Sequence, residues 1–380
     1  MNFQFYSPTK LIVGAGKAAA AGDIAGEFAK TALVIYSQSL RQTSIVFDSL
    51  RSKGIKIVEY KKPSGEPDVE TVDAAADAAR RAQCGVIVSI GGGSTIDLAK
   101  AAAGLASNGG SVVEYLEEVG TGRQVVKPAL PHIALPTTAG TGAEVTKNAV
   151  ISSRTGRFKK SFRSPYLFPA VAILDAQLTE SLPPQQAAYS GMDAITQLIE
   201  AFLTRKATPI TDALALHGLE LALPSIHDVC REGSSIEARE NMLLASTLSG
   251  ICLANAGLGL AHGFASGLGA LYDIPHGKAC AILLPHAMRI NLNAAQAKLA
   301  RIGALFSNSG SANEEALADR AVKVIEQLTA ELGIPADLKS LRIPTDELDL
   351  LAKMSMGNSM RGNLVEITQE LAKELLSQWI

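Results

Sequence analysis

The sequence predicts an α/β N-terminal dinucleotide-binding domain with a parallel sheet, followed by an all-α C-terminal metal-binding domain. Three observations carry the layout. Apolar, β-branched runs alternate with helical patterns through roughly the first 180 residues. Strand signals fade after Leu182-Pro183-Pro184, and long helical patterns take over. One strand runs into Gly91-Gly92-Gly93-Ser94 and then directly into a helix start, a geometry that cradles phosphate.

Strands are expected at Ala32–Tyr36, Ile55–Tyr60, Val86–Ile90, His132–Pro136 and Val171–Asp175, short apolar runs suited to burial inside a parallel sheet. Helical spacing marks Leu40–Lys53, Val69–Gln83 and Thr95–Ala106 between them. Ligands of such sheets sit at the carboxyl ends of strands, where the triple glycine lies. Helices are expected next at Gln186–Thr204, Thr211–His227, Ile236–Ala254, Ala261–Leu271, Asn313–Leu332 and Thr345–Lys353. The expected domains are therefore 1–182 and 183–380, with the cleft between them as the default active site. Ser307–Asn313 reads as a polar surface loop.

Composition narrows the function. The chain has 380 residues, 47% hydrophobic and 19% charged, with a net charge of −2, so nothing favours nucleic acid. Its N-terminus lacks the basic stretch and apolar core of a signal peptide. Cys84, Cys230, Cys252 and Cys280 show no CxxC spacing and read as reduced thiols of a cytoplasmic protein. Asn241–Tyr272 carries no charged residue and is long enough for a bilayer. Its six glycines, with Asn255 and His262, mark it instead as two helices buried in the helical domain.

Two loops and one helical set could carry chemistry. Gly14-Ala15-Gly16-Lys17-Ala18-Ala19 imitates a dinucleotide fingerprint, but the next strand ends in Tyr36-Ser37-Gln38, with no acid for a ribose. It reads as a structural turn. Thr137-Thr138-Ala139-Gly140-Thr141-Gly142-Ala143-Glu144-Val145-Thr146 follows another strand, and two such loops suit a dinucleotide better than a mononucleotide. A tight strand-to-helix turn without ligand is the plainer reading of the glycines. Asp193 and Gln197 share one helix face at i, i+4; with His262 and His276 they offer a carboxylate, an amide oxygen and two imidazoles to a divalent ion. Taken singly, each is as well read as a buried core residue or a helix-terminal acid.

Together these residues resemble a family. Gly91-Gly92-Gly93-Ser94 with Asp97 and Lys100, the threonine loop, Gly191-Met192-Asp193-Ala194, His262-Gly263, Pro275-His276-Gly277 and Leu284-Pro285-His286 run in an order similar to the iron-containing (group III) alcohol dehydrogenases. The resemblance implies hydride transfer between NAD or NADP and an alcohol/aldehyde pair, assisted by a divalent metal, iron or zinc. It places Gly91, Gly92, Gly93, Ser94 and Asp97 in the cofactor site, with the pyrophosphate on Gly92, Gly93 and Ser94. It sets Thr137, Thr138 and Thr141 along the cofactor, Val145 near the nicotinamide and Lys160 near the ribose. It gives Asp193, His262 and His276 as catalytic metal ligands. It also implies a cytoplasmic homodimer that acts on small alcohols or aldehydes, with no membrane or nucleic-acid partner. The N-terminal segment, read as β-rich at Phe3–Tyr6 and Lys10–Val13, is a candidate for the dimer contact.

Three positions depart from the family pattern. Gln197 stands where the fourth metal ligand is usually histidine. Ser266 replaces a histidine linked to proton relay. Ser37 replaces the acid that faces the ribose 2′-hydroxyl in NAD-preferring members; with Ser39 and Arg41 nearby, a 2′-phosphate is accommodated. Two rival readings follow. Lys159, Lys160 and Arg163 would bind the carboxylate of a maleylacetate-type oxo acid, unless they form a solvated basic turn with Arg154 and Arg157. Gln197 and Ser266 would suit a non-catalytic nucleotide-binding protein.

Overall fold

The computed structural model describes residues 2–37, 43–153, 155–156, 158–306 and 313–380. Ser39, Arg41, Arg154, Arg157 and nearly all of the Ser307–Asn313 loop lie outside the described residues. The chain forms two compact units. One comprises Tyr6–Pro183 with Glu232–Gly250, the other Met1–Phe5, Pro184–Arg231 and Ile251–Ile380. The division is thus not a single cut: Glu232–Gly250, helical by pattern, groups with the α/β unit.

In the α/β unit the chain runs β1 (Lys10–Val13), α1 (Ala21–Phe28), β2 (Thr31–Ser37), α2 (Ser44–Ser52), β3 (Lys56–Lys62), α3 (Val69–Arg81), β4 (Val86–Gly91), α4 (Gly93–Asn108) and β5 (His132–Pro136). A hairpin, β6 (Asn148–Ser153) and β7 (Phe158–Arg163), precedes β8 (Val171–Leu174). Six strands make one parallel sheet in the order β1-β8-β5-β4-β2-β3. The unbroken apolar runs follow from burial on both faces. Along β2, Leu33 and Ile35 enter one core with Leu98 and Ala102 of α4, while Val34 enters the other with Val46 and Leu50 of α2.

The hairpin was not expected. Lys159, Lys160 and Arg163, for which a solvated basic turn is one reading of the sequence, lie on strand β7, anchored by the buried Phe162. Phe3–Tyr6 forms no strand, whereas Lys10–Val13 is the edge strand β1. The Gly14–Ala19 turn is occupied by the protein itself: Asp175 accepts the N–H groups of Gly16 (3.1 Å) and Ala18 (2.9 Å). A carboxylate therefore stands where a fingerprint loop would receive a phosphate.

The helical unit contains α5 (Pro184–Leu203) and α6 (Pro209–Val229), then the end of α7 (Ile236–Ala256), α8 (Leu260–Tyr272) and α9 (His276–Asn291). Further helices follow at Gln296–Ala304, Glu314–Glu331, Leu348–Ser355, Asn358–Gly362 and Gln369–Trp379. α9 escaped the sequence reading because Pro285 lies inside it. Among the described residues no single helix is long and apolar enough to cross a membrane; α7 and α8 meet the length and composition only as a pair bent by 98°.

Candidate active site

The glycine and threonine loops lie side by side because β4 and β5 pair with Gly91 opposite Pro136. Thr137 N–H donates to the Gly91 carbonyl at 3.1 Å. Gly92 is the N-cap of α4, with extended backbone, and Gly93 opens the helix. A Cβ on Gly93 would stand 2.5 Å from Thr141 Oγ1, so only glycine lets the two loops close this far. Helix geometry turns the first N–H groups of α4 out of its N-terminus, the direction from which an anion is held.

α4 is fixed from below. Lys100, with its side chain fully buried, pairs with Asp97 at 2.8 Å. Its ammonium also donates to Ala143 O and Thr146 Oγ1, each at 2.9 Å, and to Asn148 O. Asp97 accepts the Val150 N–H at 3.0 Å as well. Both carboxylate oxygens of Asp97 are thus engaged inside the fold, where they stiffen the seat of the threonine loop. Val145 is buried at the end of that loop.

The basic residues of β7 are already paired. Lys159 meets Glu66 at 2.9 Å, Lys160 meets Glu118, and Arg163 meets Glu117 at 2.8 Å. They form neither a basic turn nor a cluster awaiting a carboxylate.

In the helical unit, Asp193 of α5, His262 of α8 and His276 of α9 converge, and Cys280 joins them. Their ligating atoms all lie within 4.8 Å of one another. His262 Nε2 is 3.2 Å from Asp193 Oδ1, and His276 Nε2 is 3.8 Å from the same oxygen. Metal–donor bonds of about 2.0–2.1 Å give tetrahedral edges of roughly 3.3–3.4 Å, so the three donors fit a divalent ion with little movement. Gln197 is buried one turn along α5 from Asp193. Asp193, His262 and Cys280 are buried, while the His276 side chain is 28% exposed.

Two devices place these side chains. α9 begins at His276, directly after Pro275, and Gly277 lets it press on α5: a Cβ there would lie 2.3 Å from Tyr189 O. Glu200, seven residues after Asp193 on α5, caps α8 by accepting the N–H groups of Gly259 (3.1 Å), Ala261 (2.6 Å) and His262 (3.3 Å). The same carboxylate contacts His262 Nδ1 at 2.7 Å. A carboxylate on one imidazole nitrogen directs the other toward a metal. Sequence reasoning missed Glu200 and Cys280. Their signals were the i, i+7 spacing from Asp193 and the i, i+4 spacing from His276.

Electrostatics agree with a cation site. Burial works against the Asp193 carboxylate, but His276 and His262 beside it hold it below the ordinary carboxylate range. Burial pushes the Cys280 thiol up to about 12. Ser266 is exposed and donates to the His262 carbonyl of its own helix at 2.9 Å.

Comparison with known proteins agrees with this arrangement. A family model described as iron-containing alcohol dehydrogenase matches residues 8–176, and the C-terminal model of the Fe-containing alcohol dehydrogenase family matches 187–380. The chain is 34% identical to alcohol dehydrogenase 4 of Saccharomyces cerevisiae (strain YJM789) over 371 residues, which cover 96% of this chain and 95% of that protein. It is 33% identical to 1,3-propanediol dehydrogenase of Klebsiella pneumoniae over 379 residues, 96% and 95% of the two chains. Among solved structures, 1,3-propanediol oxidoreductase superposes with a TM-score of 0.93 at 30% identity, covering 100% of both chains. Sulfoacetaldehyde reductase from Bifidobacterium kashiwanohense, in complex with NAD+, gives a TM-score of 0.88 at 30% identity, covering 100% of this chain and 99% of that one. Matched by the family's models along both parts of its length and by nearly full-length relatives at 33% and 34% identity, the chain belongs to the iron-containing alcohol dehydrogenase family, metal-dependent oxidoreductases that interconvert alcohols and aldehydes with a nicotinamide cofactor.

Proposed function

We propose that the chain reduces short or medium-chain aldehydes, and oxidises the matching primary alcohols, with Asp193, His262 and His276 as metal ligands. The observation that carries this is the convergence of three buried or half-buried donors from three helices, with Glu200 fixing the ring of His262. The metal, when bound, supplies positive charge that polarises the C–O bond. The nicotinamide supplies or accepts the hydride.

The chain's own residues bind and orient. Gly91–Ser94 and the start of α4 hold the pyrophosphate, and Asp97 acts through Lys100 to position that seat. Thr137, Thr138 and Thr141 line the cofactor, Val145 gives it an apolar edge, and Lys160 stands at the ribose. Ser37 ends β2 opposite Lys62, so no acid faces a 2′-phosphate from that register position. The Ser266 hydroxyl, turned onto its own helix, is no base; the proton leaves to solvent past the exposed edge of His276. We read the protein as a cytoplasmic homodimer: its cysteines are free thiols, and among the described residues β1 is an edge strand of the sheet.

The test is NADH and NADPH oxidation with a series of aldehydes and with oxo acids of equal length. Aldehydes are expected to be turned over, with kcat/KM at least about tenfold above the oxo acids, and NADPH within about tenfold of NADH. An absolute requirement for a carboxylate would replace this reading with oxo-acid reduction.

A further inference from the structure

The family pattern leaves this chain one imidazole short, and the structure offers a different donor. We infer that the Cys280 thiolate is the fourth metal ligand, in place of the Gln197 amide. The inference rests on the reading of Asp193, His262 and His276 as ligands.

Position is the first argument. His276 and Cys280 lie four apart on α9 and face the same side. Cys280 Sγ is 3.7 Å from His276 Nε2, and it is within hydrogen-bonding reach of both Asp193 and His262. A tetrahedral ion with metal–sulfur bonds of about 2.3 Å and metal–nitrogen bonds of about 2.0 Å sets sulfur and nitrogen roughly 3.5 Å apart. The four donor atoms, all within 4.8 Å of one another, are close enough to close on one ion with modest side-chain movement.

Chemistry is the second argument. Buried cysteines are often small apolar filler. Cys252 fits that description, buried and turned to the Thr211 carbonyl. Cys280 does not, because its sulfur contacts His276 Nε2 and lies within 4.8 Å of the ligating atoms of all three other donors. A neutral amide oxygen is a hard, weak donor for iron or zinc, whereas a thiolate is soft and anionic. Exchanging imidazole for thiolate, on a neighbouring helix, restores a strong four-donor set and shifts it toward zinc and away from magnesium.

The experiment uses full-length protein, stripped with a chelator and reloaded with zinc or cobalt(II) alone. X-ray absorption at the zinc edge is expected to show one sulfur at about 2.3 Å beside nitrogen and oxygen donors. Cobalt(II) is expected to give a near-ultraviolet thiolate charge-transfer band that Cys280→Ala abolishes and Gln197→Ala keeps. In competition with a chelator, Cys280→Ala should weaken zinc binding by more than about 100-fold, beyond the loss typical of an outer-shell change. A wild-type zinc shell containing imidazole but no sulfur would overturn the role of Cys280 alone. A wild type that binds no zinc, or binds it without imidazole, would overturn the underlying ligand reading as well. The wild-type spectra decide the matter even where a variant does not fold.

Discussion

Asp193→Ala is expected to lower aldehyde reduction by at least about a thousandfold and to empty the metal site. Asp193 is the donor on which both imidazoles converge, at 3.2 and 3.8 Å. Lewis-acid assistance contributes several kcal/mol to such a transition state, and each 1.36 kcal/mol is about a factor of ten in rate. The fold should survive. His262 keeps Glu200 at 2.7 Å, and α8 keeps its cap on the same carboxylate. Metal per chain, NADH oxidation and thermal unfolding, measured side by side, check this. A variant that keeps its metal and a rate within tenfold of wild type would remove Asp193 from the site.

Lys100→Met is expected to destabilise the α/β unit by about 3–5 kcal/mol, the usual cost of stranding one partner of a buried ion pair. Burial pushes the Asp97 carboxyl above its ordinary range, and Lys100 is the largest influence working against that. Methionine fills the space but leaves the buried Asp97 carboxylate supported by the Val150 N–H without its ammonium partner, and leaves Ala143 O and Asn148 O without their donor. The threonine loop then loosens, so NADH affinity should fall with stability. The double variant Asp97→Asn/Lys100→Met removes both charges and should recover more than about 1 kcal/mol. Urea unfolding and NADH fluorescence titration supply the readouts. A loss below about 1 kcal/mol, or no recovery in the double variant, would show that Lys100 is no keystone.

Much of this molecule is legible in its sequence, and the illegible parts have physical reasons. The β4 and β5 runs announce themselves because both sheet faces are buried, so apolar residues are contiguous. The hairpin strand β7 hides because three of its six residues are cations whose glutamate partners lie 42 to 93 residues away in sequence. Local pattern cannot foresee such pairing. Asp193, His262 and His276 stand out as polar residues in apolar helices, but their convergence depends on how closely α9 packs on α5 at Gly277. Cys280 reads only as a reduced thiol, because its one signal, the i, i+4 spacing from His276, gains meaning once His276 is placed beside Asp193 and His262. Asp97 entered as a cofactor residue through its motif, and the partners that packing gives it, the buried Lys100 ammonium and the Val150 N–H, were not legible in the sequence.

The account rests on a metal ion held within the helical unit being needed for turnover. The most direct test is to strip the protein with a chelator and titrate zinc or iron(II) back while following NADH oxidation by a short-chain aldehyde. Activity is predicted to vanish on stripping, return in proportion to added metal and level off at about one ion per chain. Full activity in protein shown to be metal-free would contradict it.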